Sequence, residues 1–472
     1  MSHTLKPAPK VVFYDHAYET FAIQFLTATL EKRGYNVSVY FDCSMDKDYL
    51  DQDFFLTEAF SLSPDMVAKK ILRMSPDLVG FSLITVFYPK IRPIMESIKR
   101  MNPRVTIIAG GPHCILAPKN VLDNPCIDFL FMGDAEVSLP AFLEKFREMP
   151  VEEIKKSSTD ALPGIWNNLG GRTIERGFGP IIDNLDEVPF PHKDAYYSKN
   201  PSLKKIYTAT CSRGCIFNCT YCNSPTVRKL YKECGQTYFR VASVKRVIAE
   251  LEFAKRKYNP RYIMFIDNLF APNVGWLREF AKEYNEKIGL PFFCETNPNV
   301  HTKETIDLLA YAGCKIIQFG FQSANEDVRR KVLNRHETNE KIAELVLYAK
   351  EKGIFVCVDH IANLPYEEKS HLDEAVAFYR RIRPNWINLG YLQYYPGADI
   401  LSLAIASNSI KKEDVEGIYK GEVQHSFRLL KDSKLGRFYR TLPIRLFCAF
   451  KLPKEAGDYL IKLADNKFFE GL

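Results

Sequence analysis

The feature that most restricts what this 472-residue chain can fold into is an alternation of short, continuous apolar runs with stretches of helical periodicity. It occurs twice. In residues 10–147 the runs are KVVFY (10–14), NVSVYF (36–41), DLVGFSL (77–83), RVTIIAGG (104–111) and IDFLFMG (127–133), with amphipathic stretches such as 19–33, 87–101 and 137–147. From residue 206 the runs are IYTAT (206–210), YIMFI (262–266), FFCET (292–296), KIIQFG (315–320), IFVCV (354–358) and WINLGYL (386–392). Helical stretches at 243–257, 274–288, 303–312, 338–352 and 368–383 separate them. Apolar runs bounded by turn formers read as strands buried on both faces, and parallel strands of that kind need helical crossovers. The fold class is therefore α/β. The first series predicts a Rossmann-like open parallel sheet with helices on both sides. The second predicts a partial (β/α)6 barrel with its chemistry at the C-terminal ends of the strands.

Residues 157–200 are rich in Gly, Pro, Asn and Ser and read as a connector with a short hairpin around Gly170-Gly171. The tail reads as helical. Its segment KLGRFYRTLPIRLFCAFKLPK (434–454) is basic and apolar together. Such a helix either packs on the barrel or makes a peripheral contact with a membrane surface or a lipid-like substrate. The expected division is 1–150, a connector at 151–200, a barrel at 201–400 and a helical region at 401–472.

The excess of 64 basic over 57 acidic residues is mild and spread along the chain; by itself it does not argue for nucleic acid, and no nucleic-acid partner is expected. No apolar run reaches the roughly 18 residues of a membrane span. MSHTLKPAPK has no hydrophobic signal core, so a cytoplasmic location is expected. Twelve cysteines in such a chain do not suggest a disulfide framework. Eight are scattered, several of them inside apolar runs where a buried thiol is the ordinary reading. The other four fall within twelve residues, in TATCSRGCIFNCTYCNSP (208–225). From Cys215 the spacing is C-x3-C-x2-C. A loop that short wraps three irons of a four-iron cube with three thiolates and leaves the fourth iron open to an exogenous ligand. The same spacing started at Cys211 runs through Cys215 to Asn218, so only Cys215, Cys219 and Cys222 complete it. The competing reading is a four-thiolate zinc knuckle that includes Cys211, in a non-catalytic scaffold.

SRGCIFNCTYC resembles the signature of radical S-adenosylmethionine (SAM) enzymes, with Tyr221 as the aromatic before the last cysteine. LDEVPFP (185–191), FIDNLF (265–270), GFQSANEDV (320–328), ANLPYEE (362–368) and YYPGADI (394–400) are similar to later motifs of the cobalamin-binding radical SAM family. VGFSL, AGGPH and FMGDAEVSLP resemble its B12-binding domain. Three positions depart from the family pattern: Gln322 stands where Glu is common, Arg335 where Lys is usual, and GDAE (133–136) where the family has a GEGE-like segment.

The resemblance implies three cofactors: a [4Fe–4S] cluster on Cys215, Cys219 and Cys222, SAM, and cobalamin. It places Tyr221, Asp267, Asn268, Gln322 and Ser323 beside SAM. It places Ser82, Thr85, Gly110, Gly111, Gly133 and Glu136 beside cobalamin. The implied reaction is one-electron cleavage of SAM to a 5′-deoxyadenosyl radical, followed by methyl transfer to an unactivated carbon of a small-molecule or lipid-like substrate. Ring formation, rearrangement or hydroxylation of a lipid or tetrapyrrole is the alternative. A flavodoxin or ferredoxin is the expected electron donor. Residues 1–150 lack an Asp-x-His-x-x-Gly stretch, so no histidine is expected on cobalt. A sheet that binds nothing and only buttresses the barrel is the remaining reading of those residues.

Overall fold

The computed structural model describes residues 7–16, 19–42 and 62–422, together with 442–443, 445–447, 451–453 and 455–456. The chain divides into two compact units. The first comprises the residues up to Lys204 together with Thr226–Arg240 and Gly417–Glu422. Its strands are β1 (Lys10–His16), β2 (Asn36–Asp42), β3 (Leu78–Ser82), β4 (Thr106–Gly110), β5 (Phe129–Phe131), β6 (Ile165–Leu169) and β7 (Arg172–Ile174). They form one sheet in the order β2-β1-β3-β4-β5-β6-β7. The first five are parallel, as the apolar runs predict, and β6 and β7 add antiparallel to the edge. The hairpin expected around Gly170-Gly171 is thus present and extends the sheet.

Side chains alternate between the two faces. Val12 and Tyr14 of β1, Val79 and Phe81 of β3 and Ile107 of β4 belong to one buried cluster with Val67, Ile71, Ile91, Ile94 and Ile98 from the helices Pro64–Leu72 and Tyr88–Met101. Helices Phe21–Lys32 and Ala135–Glu148 lie together elsewhere on the sheet. A fully buried aliphatic side chain such as Ile107 contributes about 1.5–3 kcal/mol. The strand order reverses between β1 and β3. In open parallel sheets ligands bind at that reversal, outside the carboxyl ends of the strands.

The second unit contains Lys205–Pro225 and Val241–Glu416. Its strand β8 is Ile206–Ala209; the two-residue strands β9 (Ser212–Arg213) and β10 (Arg240–Val241) follow in the chain. Then come β11 (Tyr262–Phe265), β12 (Phe292–Thr296), β13 (Cys314–Gln322), β14 (Phe355–Ala362) and β15 (Trp386–Tyr391). The sheet order is β15-β14-β13-β12-β11-β8, all parallel. Strands joined in chain order by right-handed crossovers put every crossover helix on one side, which curls the sheet into a partial barrel. The helices start where polar caps stand in the sequence. Ser243, Thr302 and Thr338 each accept from the backbone N–H three residues on, and Asn273 accepts from the N–H groups of Gly275 and Trp276. They stop at residues in left-handed backbone: Asn259, Gly313 and Arg383.

Beyond β15, helices Ile400–Ala406 and Lys412–Tyr419 agree with the helical reading of the tail. Most of 434–454, with its suggested membrane contact, lies outside the described residues, as do Cys43 and Cys448. Among the described residues no helix is long and apolar enough to cross a membrane.

Candidate functional site

The four-cysteine segment leaves the carboxyl end of β8. Its first residues are fastened to Asp267, just after β11. Cys211 N–H donates to both carboxylate oxygens at 2.9 and 3.1 Å, Ser212 Oγ donates at 2.5 Å and Thr210 Oγ1 at 3.2 Å. Asp267 is 1% exposed, and burial pushes its carboxyl up to about 6. Expected among the SAM contacts, this carboxylate is instead occupied by the chain's own donors and holds the entry to the loop. Cys211 is 2% exposed, its thiol raised by burial, and its carbonyl accepts from Ala242 N–H.

Beyond Gly214, whose φ of +86° turns the chain where a side chain is disfavoured, come the other three cysteines. Cys215 and Cys222 are half-buried and Cys219 is buried. Ser224 N–H donates to Cys222 Sγ at 3.4 Å. Among the described residues no three Cys, His, Asp or Glu side chains are gathered closely enough to hold one metal ion.

The loop is braced from the segment after β13. Thr220 N–H and Oγ1 donate to the carbonyls of Leu333 and Val332, and Asn334 Nδ2 donates to Asn218 O. Arg335, noted in the sequence only as a departure from Lys, is the residue whose importance the sequence does not disclose. Its buried guanidinium donates to Cys219 Sγ at 3.7 Å, to Tyr221 Oη at 3.3 Å and to the Gly320 carbonyl, and it pairs with Glu337 at 2.6 Å. Burial raises the Cys219 thiol, and the Arg335 charge pulls it back down. A fixed cation against this sulfur favours its thiolate form, the form that binds iron. Only the charge pair Arg335 and Glu337, two residues apart, hinted at it.

The other residues expected near SAM are dispersed in character. Asn268 is exposed after β11. Ser323 is buried; its Oγ accepts from Asn325 N–H and its carbonyl from Arg329. Gln322, at the end of β13, has φ +74° and is 7% exposed, and its Oε1 is buried with no hydrogen-bond partner. An unmet buried acceptor costs about 1–3 kcal/mol, so this one fits a ligand that donates to it. His301 is bonded through both ring nitrogens to Thr296 and Thr305; His360 bonds Tyr379 through Nδ1, and its Nε2 is buried without a partner.

In the first unit the expected cobalamin residues stand at the ends of β3, β4 and β5. Gly111 has φ +96° and ψ 177°, and an added Cβ would meet Leu83 N and O at 2.9 Å and Ser82 Oγ at 3.0 Å. The glycine therefore admits the neighbouring loop of the chain itself. Leu83 N–H donates to Gly110 O and His113 N–H to Leu83 O, which closes the two loops together. Gly133 has φ +94°, with the Phe178 ring 3.2 Å from where its Cβ would be. Glu136 is buried in the first turn of helix Ala135–Glu148. Thr85 is buried, with Oγ1 3.1 Å from His113 Nδ1.

At the end of β1, Asp15 accepts from Thr20, from His16 N–H and from Tyr196 Oη, so it serves the local turn. His16, against Phe87, and His113 are both buried. Each leaves Nε2 unpartnered, and burial pushes each imidazole down to about 4. Half-buried Ser82, Gly110 and Gly111 at the β1/β3 reversal, with these unmet ring nitrogens, fit a large ligand bound there.

Comparison with known proteins agrees with both halves. Residues 14–143 match the B12 binding domain model and residues 210–379 match the radical SAM superfamily model. An uncharacterized methyltransferase of Pyrococcus horikoshii is 24% identical over 349 residues, 72% of each chain. Cytidylyl-2-hydroxyethylphosphonate methyltransferase of Streptomyces wedmorensis is 24% identical, over 72% of this chain and 68% of that one. The solved radical SAM methyltransferase TsrM of Kitasatospora setae, with cobalamin and a [4Fe–4S] cluster bound, shares the fold. Its TM-score is 0.65 at 17% identity, over 85% of this chain and 78% of that one. With a B12-binding sheet followed by a radical SAM barrel, the chain belongs to the cobalamin-binding radical SAM enzymes, which use a [4Fe–4S] cluster, SAM and cobalamin.

Proposed function

We propose that this enzyme is a cobalamin-dependent methyltransferase acting on an unactivated carbon of a small molecule, with Cys215, Cys219 and Cys222 as the cluster ligands. The observation that carries the ligand set is the withdrawal of Cys211: it is buried and pinned by Asp267, while the other three share a loop braced by Arg335. When bound, the cluster and SAM supply a carbon radical, and cobalamin supplies the methyl group. The protein's own part is to hold, orient and exclude water. Arg335 balances negative charge at Cys219 and keeps Tyr221 in place. Tyr221, Asn268, Gln322 and Ser323 surround SAM. Ser82, Thr85, Gly110, Gly111, Gly133 and Glu136 surround cobalamin. A flavodoxin or ferredoxin delivers the electron. The reading as a methyltransferase is supported by two similar chains that bear that name.

The test is anaerobic reconstitution of the full chain and of its cysteine variants. Cys215→Ala, Cys219→Ala and Cys222→Ala should each lose acid-labile sulfide and formation of 5′-deoxyadenosine from SAM. Cys211→Ala should keep its iron. Iron retained in Cys215→Ala but lost in Cys211→Ala would overturn the ligand set. S-adenosylhomocysteine formed beside 5′-deoxyadenosine marks methyl transfer; 5′-deoxyadenosine alone would point to rearrangement or ring formation.

A further inference from the structure

Right-handed crossovers between strands joined in chain order place the crossover helices on one side of the barrel sheet and leave its other face to strand side chains and strand-end loops. Burial follows this division. Cys294, Ile317, Phe319, Val356 and Val358 are covered, while Glu295, Gln318 and Asp359 are half-buried and Asn388 is exposed. These last four form a polar layer. Glu295 stands in register beside Gln318, and Asp359 beside Asn388. Gln318 Nε2 donates to Asp359 Oδ1 at 2.8 Å, and Asn388 Nδ2 donates to the same oxygen at 3.0 Å.

That sharing decides what the layer offers. An amide beside a carboxylate must present its nitrogen to it, so both amides leave their carbonyl oxygens outward. Asp359 Oδ2, Gln318 Oε1, Asn388 Oδ1 and both oxygens of Glu295 then remain as acceptors. Gln322 adds another. Its amide lies over Gly320, the register neighbour of Asp359: a Cβ on Gly320 would stand 3.0 Å from Gln322 Nε2. Gln322 Oε1 is the buried acceptor without a partner. The nearby cation, Arg335, is already engaged by Glu337, Cys219, Tyr221 and Gly320. The layer thus presents acceptors, Glu295 and Asp359 Oδ2 among them, to which no donor among the described residues is hydrogen-bonded.

We propose that this layer holds the substrate through a protonated aliphatic amine placed between Glu295 and Asp359. The inference rests on the radical SAM reading of the barrel and adds the substrate's chemical class. Electrostatics favour it. Burial, then the charges of Asp359 and Asp267, push the Glu295 carboxyl up to about 7, and burial pushes Asp359 up to about 6. Ionisation of both groups together is therefore disfavoured by the protein alone, and a cation that donates to both offsets that penalty through charge-assisted hydrogen bonds.

The test uses the reconstituted full chain with its cluster and hydroxocobalamin, titrated calorimetrically with 1,5-diaminopentane, 1,5-pentanediol and glutarate. The diamine should bind at least about tenfold more tightly than the diol, and glutarate should not bind. Glu295→Gln and Asp359→Asn should each weaken the diamine by about tenfold, the loss of one charged acceptor, and leave the Kd of SAM within about twofold. Glu295→Asp, which keeps the charge, should retain most of the affinity. Equal binding of the three probes, or none, would overturn the proposal. So would a loss of SAM affinity in step with the diamine, which would give the layer to SAM's own amine. Failure of the radical SAM reading shows separately, as protein without acid-labile sulfide that makes no 5′-deoxyadenosine.

Discussion

At the scale of single residues, Asp267 couples the loop to proton concentration. Its carboxyl titrates near 3.8 in an unfolded chain and near about 6 in the fold, where burial holds the proton on. Between those values the unfolded state binds fewer protons, so this group's contribution is full below about pH 4. It is lost as pH rises through about 6. Asp267→Asn removes that titration. It also deprives Cys211 N–H or Ser212 Oγ of a carboxylate acceptor, at a cost of about 1–3 kcal/mol. Urea unfolding from pH 4.5 to 7.5 should show the stability advantage of the unsubstituted protein over the variant shrinking as pH rises to about 6, then staying level. A constant difference would show that Asp267 is not protonated in the fold.

At the scale of elements, the join between the ends of β3 and β4 depends on one glycine. Gly111 occupies φ +96° and ψ 177°, a region essentially reserved for glycine, with Leu83 backbone 2.9 Å from any Cβ. Gly111→Ala should cost at least about 1–3 kcal/mol and open the hydrogen bonds of Leu83 to Gly110 and His113. Hydroxocobalamin retained after gel filtration should fall with it. Gly171→Ala, in the hairpin turn at φ +81° with nothing within 4 Å, is the comparison. It should cost about 1–2 kcal/mol, from the backbone alone, and leave cobalamin retention unchanged. Equal behaviour of the two variants would remove the Ser82–Leu83 contact from the cobalamin site.

At the scale of the whole molecule, the first unit takes in Thr226–Arg240 as well as the N-terminal residues. The helix Ser224–Glu233 that follows the cysteine loop therefore contributes to it. Tyr231 Oη donates to Asp134 at 3.0 Å, and Arg240 pairs with Asp134 at 2.8 Å. Each unit has its own buried sheet, so denaturant should unfold the chain in two steps. A ligand that binds one unit should move one step: hydroxocobalamin at about 100 times its Kd should raise the first unit's transition by about 2.7 kcal/mol. A single transition that moves as a whole would mean that the two units unfold together.

Much of this was legible in the sequence because its causes are local. Strand and helix positions follow from apolar periodicity within a dozen residues, and each predicted run from KVVFY to WINLGYL coincides with a strand. The caps at Ser243, Asn273, Thr302 and Thr338 are signals of the same short range, and so is the C-x3-C-x2-C spacing. The tertiary structure decided which polar residues face one another, since those partners come from distant stretches. Arg335 meets Cys219 across 116 positions, and Asp267 meets Cys211 across 56. No local pattern assigns Asp267 to the loop in place of SAM, or packs Gly111 against the Leu83 backbone. Nor does periodicity tell Glu295 and Asp359 from other half-buried strand residues. Strand register and the hydrogen bond from Gln318 to Asp359 set them in one layer.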